Sequence, residues 1–542
     1  MKKIINCLLI GAIAIGFSSC EKYLDVNDNP NSPTSVTAEL ILPQAIVGSA
    51  SVTNTFSQNL NFVSGSFANV GGVGGYGATL TQAYTTNSFN ALWTSTYDNL
   101  QDYQTVISSN GADATRVYST SIARIMKAYG FARLVDQYND IPYSDALKGK
   151  LSLAPKYDKA EDVYKALITE LDQSMAAITA GQAAPASAEI KVVAGSSDPL
   201  YKGDMNKWKK FANTLKLRML VKMAGVPSLN AYAAPLFATL AATGFIDDDA
   251  LVQPGYLKEP GRQSPNFASL ASIATNVRSQ GQATTTKWML TFFNGNKIND
   301  PGRGSVIFRS FPSTPSNQLG DETSGAVAAI ATYTAWFTGT NFDTPGLGVA
   351  KYSTQGQPIF LKAEADFLRA EAMVRNYLPG GTAGAATAFE TGVKASYNYL
   401  YKDASDKVTK TPAEVDAWLA TYKAANPASW LVNFGLAVVA GDYNADPTAR
   451  LIEAISTQKY IALSNTMNDE AFNEYRRTGW PRTVTSGAPS PTLTFASRTS
   501  VATSPDKIIT RILYPQQEYN LNASNVPANI NLYTSKIFWD VN

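Results

Sequence analysis

Apolar side chains recur at three- and four-residue intervals in six separate stretches of this chain, a period that calls for helices burying one face against each other. Ile122, Ile125, Met126 and Tyr129 share a face of a segment near 117–137. Val163, Leu167, Leu171, Met175 and Ile178 follow Asp158, placed as an N-cap, and Trp208, Phe211, Ala212, Leu215 and Met219 follow Asp204. Phe360, Ala363, Phe367, Ala370 and Val374 form a fourth stripe, and Ala385, Phe389, Val393 and Tyr397 a fifth. Asp446 and Pro447 open a sixth helix as cap and first-turn proline, with Leu451 and Ile455 directed inward. Alanines beside aromatics on the facing sides let helices approach closely, as helix-turn-helix repeats of the tetratricopeptide type require, and the Ala385/Phe389 spacing suits the second helix of such a repeat. The expectation is a mainly α fold of tetratricopeptide-like repeats with long irregular loops.

Those loops are Gly-, Ser- and Thr-rich: 64–87, roughly 253–266, and 302–358. They are longer than connections need to be, and loops carrying aromatics on a rigid frame are where binding concentrates. With 45% hydrophobic residues and no Gly/Ser- or Pro-rich linker, residues 35–542 are expected to form one domain.

The N-terminus has a different character. Lys2 and Lys3 precede an apolar run ending in Ser18, Ser19 and Cys20, the order of a secretion signal. The run is short of the ~20 residues that span a bilayer. FSSC at 17–20 resembles the lipobox of bacterial lipoproteins, which implies a signal peptide over 1–19, lipidation of Cys20, and a polar, turn-rich tether over 20–34. Cys7 leaves with the signal, so no disulfide is expected.

Composition excludes several chemistries. The 45 basic residues less Lys2 and Lys3 leave 43 against 43 acidic, and so no footprint for nucleic acid. There is no histidine, which removes the usual general base and the usual transition-metal ligand. No phosphate-binding loop and no G-x-S-x-G elbow is present. Among common hydrolases only a paired-carboxylate glycosidase survives, and Asp98, Asp102, Asp136 and Asp140 sit at helical spacings that capping or salt bridging explains. No catalytic residue, metal ligand or cofactor is therefore expected.

Six stretches taken together resemble the SusD/RagB family of Bacteroidetes, in its SusD-like subgroup with an NPN-PT opening: NPNSPT at 29–34, ARLVDQYNDIPYSDAL at 132–147, KWKKFANTLKLRML at 207–220, FLKAEADFLRAEA at 360–372, QKYIALSNTMNDEAFNEYRRTGWP at 458–481 and RILYPQQEYN at 511–520. The resemblance covers nearly all of the chain after the signal. It implies a lipoprotein anchored in the outer membrane, facing the cell exterior, that binds a nutrient such as an oligosaccharide and delivers it to a SusC-like TonB-dependent transporter. The competing expectations are a surface glycosidase and a protein-binding repeat scaffold. NDPGRG at 299–304 departs from the family's usual Asp-Pro-Arg run, so a different turn is expected there. Arg476, Arg477 and Trp480 of RRTGWP are expected to form a buried polar staple rather than a ligand site.

A neutral oligosaccharide needs aromatic rings for its C–H faces and amide, hydroxyl or guanidinium donors for its rim. The candidates are Tyr76 and Tyr84 in the first loop, Tyr256 and Arg262 in the second, and Tyr333, Trp336, Phe337 and Asn341 in the third, with Trp336 as the expected exposed anchor.

Overall fold

The computed structural model describes residues 38–323, 332–485 and 490–542. The signal segment, Cys20, the tether and NPNSPT lie outside them.

Ten principal helices carry the fold: α1 (Ala38–Asn59), α2 (Asn90–Asn110), α3 (Val117–Tyr138), α4 (Ala160–Ala183), α5 (Met205–Ala224), α6 (Lys362–Val374), α7 (Gly381–Leu400), α8 (Pro412–Ala424), α9 (Pro447–Leu463) and α10 (Asn468–Thr478). Neighbours in sequence pack side by side from α1 through α5; α6 then lies on both α5 and α7, α9 on α6, and α10 on α9 and back on α1. The frame is mainly α and tetratricopeptide-like, as the stripes require. Gly392 on α7 allows the closest part of the α6–α7 contact, since a Cβ there would stand 2.8 Å from the Phe367 ring.

Local signals act largely as expected. Asp204 caps α5 by accepting from Asn206 N and Lys207 N at 2.9 and 3.1 Å, Asp446 caps α9 through Ala449 N at 2.9 Å, and Thr411 with Glu414 forms a capping box on α8. Three expectations are corrected. Asp158 does not cap α4: it sits in a two-residue strand and binds Tyr143 N and Ser144 N at 2.9 and 2.8 Å, while Asp140 reaches Ala160 N at 3.0 Å. Phe360 closes a strand, Gln357–Phe360, one residue before the N-cap of α6. Leu451 is only half-buried, its neighbour Ile452 taking the inward place.

Strands are few and short. β1 (Phe67–Asn69) pairs antiparallel with β5 (Ala283–Thr286), which pairs parallel with β6 (Ser316–Asn317). β2 (Ile141–Pro142) pairs with β3 (Tyr157–Asp158), and β4 (Ala250–Val252) with β7 (Gln357–Phe360).

The family-like motifs are mostly architectural. Glu364 and Glu371, seven residues apart on α6, meet Arg218 of α5 and Arg477 of α10 inside the frame. Arg218 grips both oxygens of Glu364 at 2.7 Å and reaches Glu470 at 3.2 Å. Lys222 joins Asp136 at 2.7 Å, and Arg133 pairs with Asp469. Arg477 holds Glu371 at 2.8 Å and Glu474 at 3.0 Å, with Lys459 on Glu474 at 2.6 Å. Arg476 and Arg477 are buried and Trp480 half-buried. In NDPGRG, Asp300 caps a short helix, Pro301–Ile307. Gly302 is forced there, because a Cβ would come within 2.2 Å of the Trp418 indole nitrogen. Arg303, fully buried, reaches Ser396, Tyr422 and Gln458 at 3.0–3.3 Å.

Candidate functional site

The nominated loops do not converge on one site. The second and third meet: Ser264 N donates to Ser353 O at 2.8 Å, Gln253 to Thr354 O at 2.8 Å, and Lys258 pairs with Asp343. The first loop meets the third at a different place, where Gly72 N donates to Glu322 O and Asn317 Nδ2 to Asn69 O, both at 2.8 Å. Half-buried Tyr76 donates to Gln282 O and packs edge-on to Phe62, and half-buried Tyr84 rests on Phe89 at 4.6 Å.

Trp336, expected to be exposed, is fully buried: its ring stacks on Phe67 of β1 at 3.7 Å and 13°, and its Nε1 donates to Asn465 Oδ1 at 2.9 Å. Phe337 is also fully buried, between Phe267 and Phe342 at 5.9 and 5.0 Å. Tyr256 is buried as well. None of these three rings presents a face to solvent, because residues distant in sequence cover them. Tyr333 is half-buried beneath the Arg309 guanidinium, 4.0 Å from its ring. Arg262 and Asn341 are exposed; Arg262 pairs with Glu259 at 2.8 Å, and the Asn341 side-chain Oδ1 accepts from Asp343 N at 2.9 Å.

A cleft of about 510 Å³ lies elsewhere, where the loop joining α8 to α9 faces Pro481, Arg482, Val484 and Leu493. Trp430 and Tyr443 of that loop border it, their rings 5.1 Å apart. Glu453, buried on α9, ties them together. Its carboxylate accepts from Trp430 Nε1 at 3.2 Å, from Asn444 at 2.8 Å and from the Tyr443 hydroxyl. Burial and that carboxylate push the Tyr443 phenol well above its ordinary value, so it stays a neutral donor. One turn earlier on α9, Arg450 lies over the Trp430 ring at 4.0 Å and pairs with Asp442 at 2.8 Å, while Arg482 lies over Tyr443 at 4.4 Å. Pro481, Val484 and Leu493 form the opposite wall, and Phe292, Lys297 and Thr457 are further lining residues. Burial brings the Lys297 ammonium down to about 7.

The arrangement has aromatic walls, fixed donors and a mostly apolar lining, which suits capture of a small or extended ligand. It does not resemble a hydrolytic pair: among the described residues Glu453 is the only carboxylate lining the cleft, and three donors already bind it. Asp136, another expected acid, is engaged by Lys222, Trp539 at 2.8 Å and Tyr164. The sequence did carry a signal for the cleft. WLVNFGLAVVAGDYN at 430–444 has the same mix of aromatics, Gly and Asn as the nominated loops.

The comparisons with known proteins agree with the frame. No curated protein matches the sequence. Among solved structures, a SusD homolog from Bacteroides uniformis superposes with a TM-score of 0.66 at 24% identity, covering 93% of this chain and 99% of that one. A chitin-binding protein superposes at 0.65 with 21% identity and coverage of 93% and 99%, and a SusD homolog from Bacteroides fragilis at 0.64 with 21% identity and coverage of 93% and 100%. At these identities the matches establish the fold. The sequence model of one family, described as starch-binding and associating with the outer membrane, matches residues 30–515, and the chain therefore belongs to the SusD-like family.

Proposed function

We propose that this protein is a non-catalytic surface lipoprotein, anchored in the outer membrane through lipid on Cys20, that binds an oligosaccharide and delivers it to a SusC-like TonB-dependent transporter. Family membership supports a nutrient-binding role at the outer membrane. The observation that carries the saccharide reading is the Trp430–Tyr443 pair bordering a mostly apolar cleft, with ring orientation fixed by Glu453 and the flanking arginines. Among the described residues no helix is long and apolar enough to cross a membrane, so action on uptake requires a partner that spans it. In the three nominated loops, Tyr76, Tyr84, Tyr333, Arg262 and Asn341 keep exposed or half-exposed surface and are proposed as secondary contacts.

Purification from membranes in mild detergent tests the partner: a much larger β-barrel transporter should co-purify. Recovery of the lipoprotein alone, with its lipid intact, would count against delivery. Incubation with a bound oligosaccharide should leave its length unchanged.

A further inference from the structure

The charges around the Trp430–Tyr443 cleft do not balance. Three ionisable side chains other than Tyr443 line it: Glu453, Lys297 and Arg482. Glu453 is saturated by Trp430, Tyr443 and Asn444, and neither cation forms an ion pair among the described residues. The Lys297 ammonium is the more telling of the two. It is buried, has no hydrogen-bond partner among the described residues, and lies over two ring faces, 4.7 Å from Trp288 and 4.8 Å from Phe292. Thr457, one turn beyond Glu453 on α9, also lines the cleft with a buried hydroxyl that has no partner. A buried cation and a buried hydroxyl without hydrogen-bond partners are each costly, and these two line the same cleft. Their position in the cleft suggests that a ligand completes them.

Both needs are met by one group, a carboxylate, which accepts from an ammonium and a hydroxyl at once. The adjoining indole and phenol ask for a ring with apolar C–H faces. Resting on the saccharide reading given above, we propose that the cleft binds an acidic saccharide, a uronate-bearing oligosaccharide whose carboxylate pairs with Lys297 and Thr457 while its sugar ring lies along Trp430 and Tyr443. Arg482 at the rim adds a second positive charge that draws the anion in. The low value of the Lys297 ammonium, set by burial, agrees with an ion that lacks an anionic partner among the described residues. Filling the site restores the charge, so binding above neutral pH takes up a proton. The charged side chains that share the cleft lining with Lys297 are Glu453 from α9 and Arg482, next to Pro481.

The test is calorimetric titration of the full mature protein with oligogalacturonate and oligoglucuronate, with their methyl esters, in which the sugar is kept and the charge removed, and with neutral glucose and galactose oligomers. An acidic oligomer should bind at least tenfold more tightly than its own ester. That preference should vanish in Lys297→Met, whose melting temperature should hold or rise because an unpaired buried charge is replaced by an apolar chain of similar length. At pH 8 the wild type should take up protons on binding, read from titrations in buffers of different ionisation enthalpy, and Lys297→Met should not. Thr457→Val supplies a second variant with a smaller loss of the same preference. Equal binding of acid and ester, or binding of neutral oligomers alone, would overturn the acidic inference and leave the saccharide reading standing. Failure of every acidic, esterified and neutral oligomer to bind would overturn both.

Discussion

Replacing Trp336 by Ala should damage the fold rather than the ligand site. The indole is completely buried, stacked 3.7 Å from Phe67, and bonded to Asn465 in the turn between α9 and α10. Removing a buried tryptophan costs about 3–5 kcal/mol. The change also strips the donor from Asn465 Oδ1, and an unsatisfied buried acceptor costs about 1–3 kcal/mol. The two terms overlap, so the loss should fall near 5 kcal/mol. A chain of 542 residues has an unfolding entropy of about 1.1 kcal/mol/K, so cooperative unfolding would show this as a drop in Tm of about 4 °C. Differential scanning calorimetry of the mature protein measures it. Trp336→Phe separates the causes: it keeps a ring against Phe67 and loses only the indole donor and some volume, so its Tm should lie between wild type and Trp336→Ala. A Trp336→Ala protein that melts within 0.5 °C of wild type, yet has lost affinity for oligosaccharide, would refute the assignment of this ring to the core.

Other expectations follow from the same structure. Glu371→Gln removes the partner of Arg477 and Arg375 inside the frame and should cost about 3 kcal/mol, whereas Glu259→Gln, which breaks the exposed pair with Arg262, should not change Tm measurably. Burial opposes the charge on Glu371, but Arg477 and Arg375 hold its carboxyl well below the ordinary range. A depressed folded value means a contribution present in full above the unfolded value of about 4.3, so the stability gap between wild type and Glu371→Gln should be constant from pH 8 to 5 and close as the pH falls below about 4. A gap that widens on acidification would contradict that sign. Tyr443→Ala should weaken oligosaccharide binding about tenfold or more with little change in Tm, because its ring is half exposed at the cleft, and Tyr443→Phe should retain most of the affinity. Cys20→Ala should shift the protein from the membrane to the soluble fraction or leave it uncleaved, since acyl chains at ~0.8 kcal/mol per buried CH₂ are its proposed hold.

The helical frame was legible because its signal is local: three- and four-residue spacing names a buried face, and Asp204 and Asp446 announce helix starts through groups two or three residues away. What was not legible depends on distant partners. Nothing near Trp336 in sequence says that Phe67 and Asn465 will cover it. Glu364 and Glu371 share a face of α6, but only the arrival of Arg218 and Arg477, each more than a hundred residues away, makes that face an interior one. Asp158 has the right residue type for a cap, yet the backbone amides of Tyr143 and Ser144 claim its carboxylate first. The cleft was missed for another reason. Trp430 and Tyr443 stand thirteen residues apart in a loop, and their pairing is imposed by Glu453 on the next helix.

The contact of α10 with α1 has a consequence for how the chain is made. Ser57 Oγ donates to Thr466 O at 2.9 Å, and Asn468 Nδ2 reaches back to Ser57 Oγ at 3.1 Å, closing a loop of more than four hundred residues. During synthesis α2 and α3 can pack on the first helix early, but the part of it that α10 covers must wait until most of the polypeptide has emerged. Loss of the last eighty residues would remove this lock along with α10 and uncover the part of α1 that it closes.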